Sequence, residues 1–76
     1  MEVYVYILLR VERGEPWKIA AEVSKVSGVK TSHVVTGSYD IIAFAELGSL
    51  DSLKDIIVKI HGIAGVQHTE TAVCLP

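Results

Sequence analysis

Between Glu2 and Val11 the apolar residues Val3, Val5, Ile7, Leu9 and Val11 recur at every second position, the period of a strand. The alternate positions are not water-facing in character either. Tyr4, Tyr6 and Leu8 precede Arg10 there, which predicts a central strand covered on both sides. Gly14 and Pro16 end the alternation. Proline suits the first position of a helix, and Ile19, Ala20, Val23 and Val26 follow at helical spacing up to Gly28, the expected C-terminal cap, with Trp17 as the expected anchor of this helix on the sheet. Val29 to Thr36 then reads as a second strand, Gly37-Ser38 as a tight hairpin turn, and Tyr39 to Leu47 as a third strand. A second helix is expected after a Ser49 cap, with Asp51 at its positive end, a stripe of Leu50, Leu53, Ile56, Ile57 and Ile60, and Lys59 and His61 before a stop at Gly62. Past Gly65, Val66 to Leu75 reads as a last strand.

The order β-α-β-β-α-β, joined by right-handed crossovers, predicts an α+β, ferredoxin-like domain: a four-stranded antiparallel sheet with two helices on one face. The helices leave the other face bare. Strands one and three carry apolar residues toward both faces, as Ile42 and Phe44 lie beside Ile41 and Ala43, so the bare face is expected to pack on the sheet of a second copy. Composition strengthens that expectation. In 76 residues, half of them hydrophobic and 21% charged, one core spanning residues 1–76 is all that can form. A domain of this size buries only about 60% of the surface of its unfolded chain, so self-association would add needed burial.

A formal charge of −2, with the lysines and arginines scattered singly, offers no basic stripe for phosphates, and direct nucleic-acid binding is not expected. The longest apolar run, Val3 to Leu9, is too short to cross a membrane, and a single cysteine, Cys74, allows no internal disulfide; both suit the cytoplasm. His33, His61 and His68 lack a ligand spacing, nothing orders a nucleophile beside a base, and Cys74 sits in an apolar strand. No metal or other cofactor and no catalysis are expected.

The polar cluster Thr36-Gly37-Ser38-Tyr39-Asp40 stands between two apolar strands. Turn chemistry alone reads it as a glycine turn whose aspartate bonds nearby backbone; the alternative is a ligand site in which Asp40 accepts from an ammonium group. The stretch V-V-T-G-S-Y-D-I-I, then H-G-I-A-G-V and the strand H-T-E-T-A-V, resembles the ligand-binding domain of the leucine-responsive/asparagine-regulator (Lrp/AsnC) family over essentially the whole chain. That resemblance implies a sheet-to-sheet dimer, assembly of dimers into octamer or decamer rings, and a free amino acid bound between dimers near the G-x-Y-D turn. By it, Thr36, Gly37, Tyr39 and Asp40, with Thr69 and Thr71 of the last strand, are the expected ligand contacts. Regulators of that family place a helix-turn-helix ahead of this domain, whereas this sequence begins at the first strand. The expectation is therefore a stand-alone module that senses an amino acid and co-assembles with full-length regulators.

Two other classes compete. A small ferredoxin-like enzyme would need an acid, base or cofactor between sheet and helices, where the expected residues are aliphatic; a structural adaptor would need no site at all. A regulatory amino-acid-binding domain of the same element order, attached to metabolic enzymes, would bind at the loop from Arg13 to Trp17 instead.

Overall fold

The computed structural model describes residues 2–76. Its elements are β1 (Val3–Val11), α1 (Pro16–Ser24), β2 (Val29–Val34), β3 (Ile41–Leu47), α2 (Asp51–His61) and β4 (Val66–Val73). The sheet order is β2-β3-β1-β4 and all three pairings are antiparallel, the ferredoxin-like arrangement. β1 and β3, the two strands richest in apolar residues on both faces, are thus the central pair.

Alternation sorts each strand into two faces. Val5, Ile7 and Leu9 of β1 stand beside Ala45, Ala43 and Ile41 of β3, and all six are buried under Ile19, Ala20 and Val23 of α1 and Ile56 and Ile60 of α2. Each fully buried Val or Ile side chain contributes about 1.5–3 kcal/mol through area removed from water. Among the described residues no polar residue is buried as a whole, and Ser32 Oγ, beside Ala43 on this face, is buried without a hydrogen-bond partner, so this layer is held by packing rather than by polar contacts. On the opposite face the cross-strand neighbours Tyr4–Glu46, Tyr6–Phe44 and Leu8–Ile42 have no covering layer.

Several local expectations are corrected. α1 ends at Ser24 rather than at Gly28: the Ser24 hydroxyl donates to Ala21 O at 2.6 Å, and the next turns tighten through Val26 N–H to Val23 O. Gly28 instead opens β2, wedged against Ile56 and Leu47. Trp17 does not anchor its helix; it is 73% exposed at the groove between α1 and β2. Ser49 makes no side-chain cap for α2, whose N-cap position is Leu50; Ser49 and Leu50 form a preceding turn through their carbonyls, which leaves Leu50 exposed and outside the buried stripe. β4 closes at Val73, two residues early, and Cys74 is exposed beyond it.

Candidate functional site

Three connections gather at one end of the sheet: residues 12–15 between β1 and α1, 35–40 between β2 and β3, and 62–65 between α2 and β4. The middle one is wider than the expected two-residue turn. Val35 N–H donates to Asp40 O at 2.8 Å, and the loop closes through Gly37, whose φ of +112° a side chain would resist. The reason for the width lies in Asp40. Its N–H donates to Leu9 O at 2.8 Å and its Oδ2 accepts from Val11 N–H at 2.9 Å, so this one residue clamps the end of β1 after β3 has left the ladder. The backbone-bonding reading of the aspartate is therefore realised, across 29 residues rather than locally. An ionised carboxylate offers about four acceptor positions, and one is used here.

Arg10 supports the same loop from the open face. Its Nε donates to Ser38 O at 3.0 Å, and its guanidinium carbon lies 5.2 Å from the centre of the Tyr39 ring, within cation–π range. The Tyr39 phenol is held above its ordinary pKa, first because the Glu70 carboxylate offers it a hydrogen-bond acceptor, then by desolvation and the charge of Glu70, with Arg10 pulling the other way. Neither Arg10 nor Glu70 is among the contacts expected from sequence. A signal for one of them lies in the alternation: Arg10 is the first charge on an otherwise apolar face of β1.

The remaining expected residues divide. Thr36 is exposed beside Gly37 in the loop. Thr69 and Thr71 pair with Leu9 and Ile7, hence they face the helix layer, and Thr69 Oγ1 lies 2.7 Å from His61 Nε2 at the end of α2. Within one chain, Thr36, Gly37, Tyr39 and Asp40 are together, while Thr69 and Thr71 lie two strands away and on the other side of the sheet from Tyr39.

A second concavity at this end takes in Arg13 to Glu15, part of the loop at which the alternative amino-acid-binding reading places its ligand. A cleft of about 570 Å³ opens between the 12–15 and 62–65 connections, lined by the charged Glu12, Arg13, Glu15 and Lys18 together with Ile19 and Gly65. Glu12 N–H donates to Gly65 O at 2.9 Å, and Gly65 comes so close to Ile19 that a Cβ there would stand 2.7 Å from its Cδ1.

With this geometry, residues 4–76 match the family model of the Lrp/AsnC ligand binding domain. No curated protein matches the chain. Among solved structures it is similar to TTHA0845 from Thermus thermophilus, with TM-score 0.93, 24% identity, and 97% of this chain and 94% of that one covered. It is similar to E. coli AsnC, with TM-score 0.86, 25% identity, and 97% of this chain and 51% of that one covered. The transcriptional regulator NMB0573 of Neisseria meningitidis, solved as a complex with L-Met, superposes with TM-score 0.85 at 18% identity over 97% of this chain and 50% of its own. The first and third likenesses carry the fold. The chain spans about half the length of the two regulators.

Proposed function

The chain belongs to the Lrp/AsnC ligand-binding-domain family, and from that premise we propose that it is an amino-acid-sensing and oligomerisation module, pairing through its open sheet face and taking a free amino acid where dimers meet. The observation that carries this reading is Asp40: a rigidly held carboxylate with acceptor positions to spare, next to a glycine that lets a ligand approach the backbone. The ligand's ammonium group is bound by Asp40 and its carboxylate by loop N–H groups and by the hydroxyls of Thr69 and Thr71. The sheet separates those threonines from the Tyr39 loop within one chain, so a ligand that touches both groups sits between chains. The L-Met bound to the Neisseria regulator is the chemistry expected of such a site. Full-length regulators of the same family are the natural partners for co-assembly.

The cleft at residues 12–15 favours a second reading, an amino acid held at the start of α1, because that cavity is preformed in a single chain. Calorimetric titration with the common amino acids, followed by amide shift mapping with the best of them, separates the two. Asp40→Asn keeps an acceptor for Val11 N–H and removes the charge, so affinity should fall about ten-fold or more. Unchanged affinity, with shifts confined to residues 12–19 and 62–65, would move the site to the cleft.

A further inference from the structure

His61, the last residue of α2, is set against the strand that follows it: its Nε2 lies 2.7 Å from Thr69 Oγ1, at the short end of the hydrogen-bonding range. A threonine hydroxyl has one proton and two lone pairs, and the ring nitrogen it meets either carries a proton or does not, so the contact has two polarities. If Oγ1 donates to a bare Nε2, its only proton is used within the pair and its free lone pair faces outward. If Nε2–H donates to Oγ1, the hydroxyl proton is left to point away from the histidine.

The difference decides what Thr69 can offer a ligand. In the site proposed above its hydroxyl bonds the carboxylate of a free amino acid, a group that accepts and cannot donate. Only the second polarity supplies that proton; the first sets a lone pair against a negative charge. An imidazolium carries protons on both nitrogens, so it enforces the second polarity and adds a positive charge behind the hydroxyl. The charged groups of the surrounding elements lie elsewhere. The residues one turn before His61 are Ile57 and Val58, while Lys59 and Asp55 border the hollow beside Gly28. The connection that follows is Gly-Ile-Ala-Gly, and Glu12 and Arg13 line a cleft along it that His61 does not border. On β4, Thr71 shares the helix side with Thr69, whereas His68 and Glu70, paired with Arg10 and Leu8, face the open side. Where chains meet, the other charged group is Asp40 of the partner subunit, which faces the ligand's ammonium.

We infer that His61 is a positioning residue of the amino-acid site: by donating through Nε2 it turns the Thr69 hydroxyl outward as a donor for the ligand's carboxylate, and protonation of its ring strengthens ligand binding. This rests on the site proposed above and adds to it a residue that touches no ligand atom. The sign follows from the imidazolium being the favoured state. Affinity rises as pH falls through the ordinary histidine range, about 6.5, and settles to a lower level above it.

Two measurements on the full chain test this. Nitrogen-15 shifts of the His61 ring in the free protein, assigned by their loss in His61→Gln, report which nitrogen carries the proton when the ring is neutral. A protonated Nε2 is expected; a bare Nε2 with the proton on Nδ1 would overturn the inference whatever the ligand. Calorimetric titration with L-methionine supplies the second readout: wild type should bind about three-fold or more tightly at about pH 6 than at about pH 8. His61→Gln, whose amide still donates but carries no titrating charge, should bind equally at both, and Thr69→Val should lose the pH dependence too, since the histidine acts through that hydroxyl. His61→Leu should bind about five-fold or more weakly than wild type at the lower pH. His61 is exposed, so neither of its substitutions should unfold the domain. A pH dependence that survives in His61→Gln, or His61→Leu binding as tightly as wild type, would overturn the inference while leaving the site standing. If neither L-methionine nor any other common amino acid binds wild type, the site itself fails, and the ring's nitrogen shifts still decide the polarity of the His61–Thr69 bond.

Discussion

The two faces of β1 differ in fate though hardly in hydrophobicity. Val5, Ile7 and Leu9 are all at 0% exposure beneath the helices, whereas Tyr4 and Tyr6, a residue away on the same strand, remain 40% and 43% exposed. The closed face carries compact aliphatic side chains that interdigitate with Val23, Ile56 and Ile60 in one buried cluster. The open face carries amphipathic rings, each with a large apolar area and a hydroxyl that tolerates water. Aromatic residues of that kind are enriched at protein interfaces and fully aliphatic ones in interiors. The chain thus carries two kinds of surface in one strand: one covered within the monomer, the other left open.

The sharpest way to break this contrast is to cut into each face in turn. Ile7→Ala should destabilise by about 2–5 kcal/mol, the cost of lost transfer energy plus a cavity that the crowded layer cannot fill by relaxing. The loss should appear as a lower urea midpoint at every protein concentration. Phe44→Ser removes a ring that touches no helix, so it should leave the fold of one chain intact and instead abolish the dependence of the midpoint on concentration, which only an associating native state produces. If Phe44→Ser cost as much as Ile7→Ala in dilute protein, the open face would be part of the monomer's own core and the distinction would fail.

How much of this was legible follows from the range over which each signal acts. Strand and helix identities were legible because alternation and helical spacing are properties of a few consecutive residues, as Val3–Val11 and Ile56–Ile60 illustrate. The ends of elements were less so. Ser24, Ser49 and Gly28 are all residues with capping chemistry, yet what each does depends on the neighbours that reach it: Ala21 O for one, no side-chain cap for the second, Ile56 and Leu47 for the third. Trp17 was misplaced for the same reason, since helical spacing does not say which arc of a short helix meets the sheet. At the site, the Gly37–Asp40 turn was visible as a polar island, but the bond from Val11 N–H to Asp40 was not, because it joins residues 29 apart in the chain. The placement of Thr69 and Thr71 on the helix side could have been read from register with Leu9 and Ile7, had the pairing been known.

Asp40 lies at the rim where the two faces meet, and its replacement should have an intermediate effect that sharpens the contrast. Asp40→Ala leaves the Val11 N–H without its acceptor in a partly buried position, which should lower stability by about 1–3 kcal/mol. Asp40→Asn retains an oxygen acceptor, so most of that stability should survive. Hydrogen exchange at the Val11 amide checks the cause: fast in Asp40→Ala, near wild type in Asp40→Asn. Equal exchange in both variants would mean that the Asp40 N–H bond to Leu9 O holds this end of β1 without the carboxylate.

The smallest effect is expected at Trp17, and its smallness is informative. It is the most exposed aromatic ring described, yet it stands singly at the groove between α1 and β2, with Ala20, Ala21 and Ser24 on one side and Ser32, His33 and Val34 on the other, whereas Tyr4, Tyr6 and Phe44 adjoin one another. Contiguous apolar area marks an interface and isolated apolar residues do not. Trp17→Ala removes little buried area and places a better helix former in the first turn, so stability should change by no more than about 0.5 kcal/mol in either direction. As the only tryptophan, Trp17 also reports on its own surroundings. Across a dilution series that spans dimer dissociation, its emission maximum should stay at the long wavelength of a hydrated indole and remain open to an ionic quencher throughout. A shift to shorter wavelength on association, or a looser dimer in Trp17→Ala, would put the helix layer in the contact and remove the asymmetry between the two faces from which the pairing was argued.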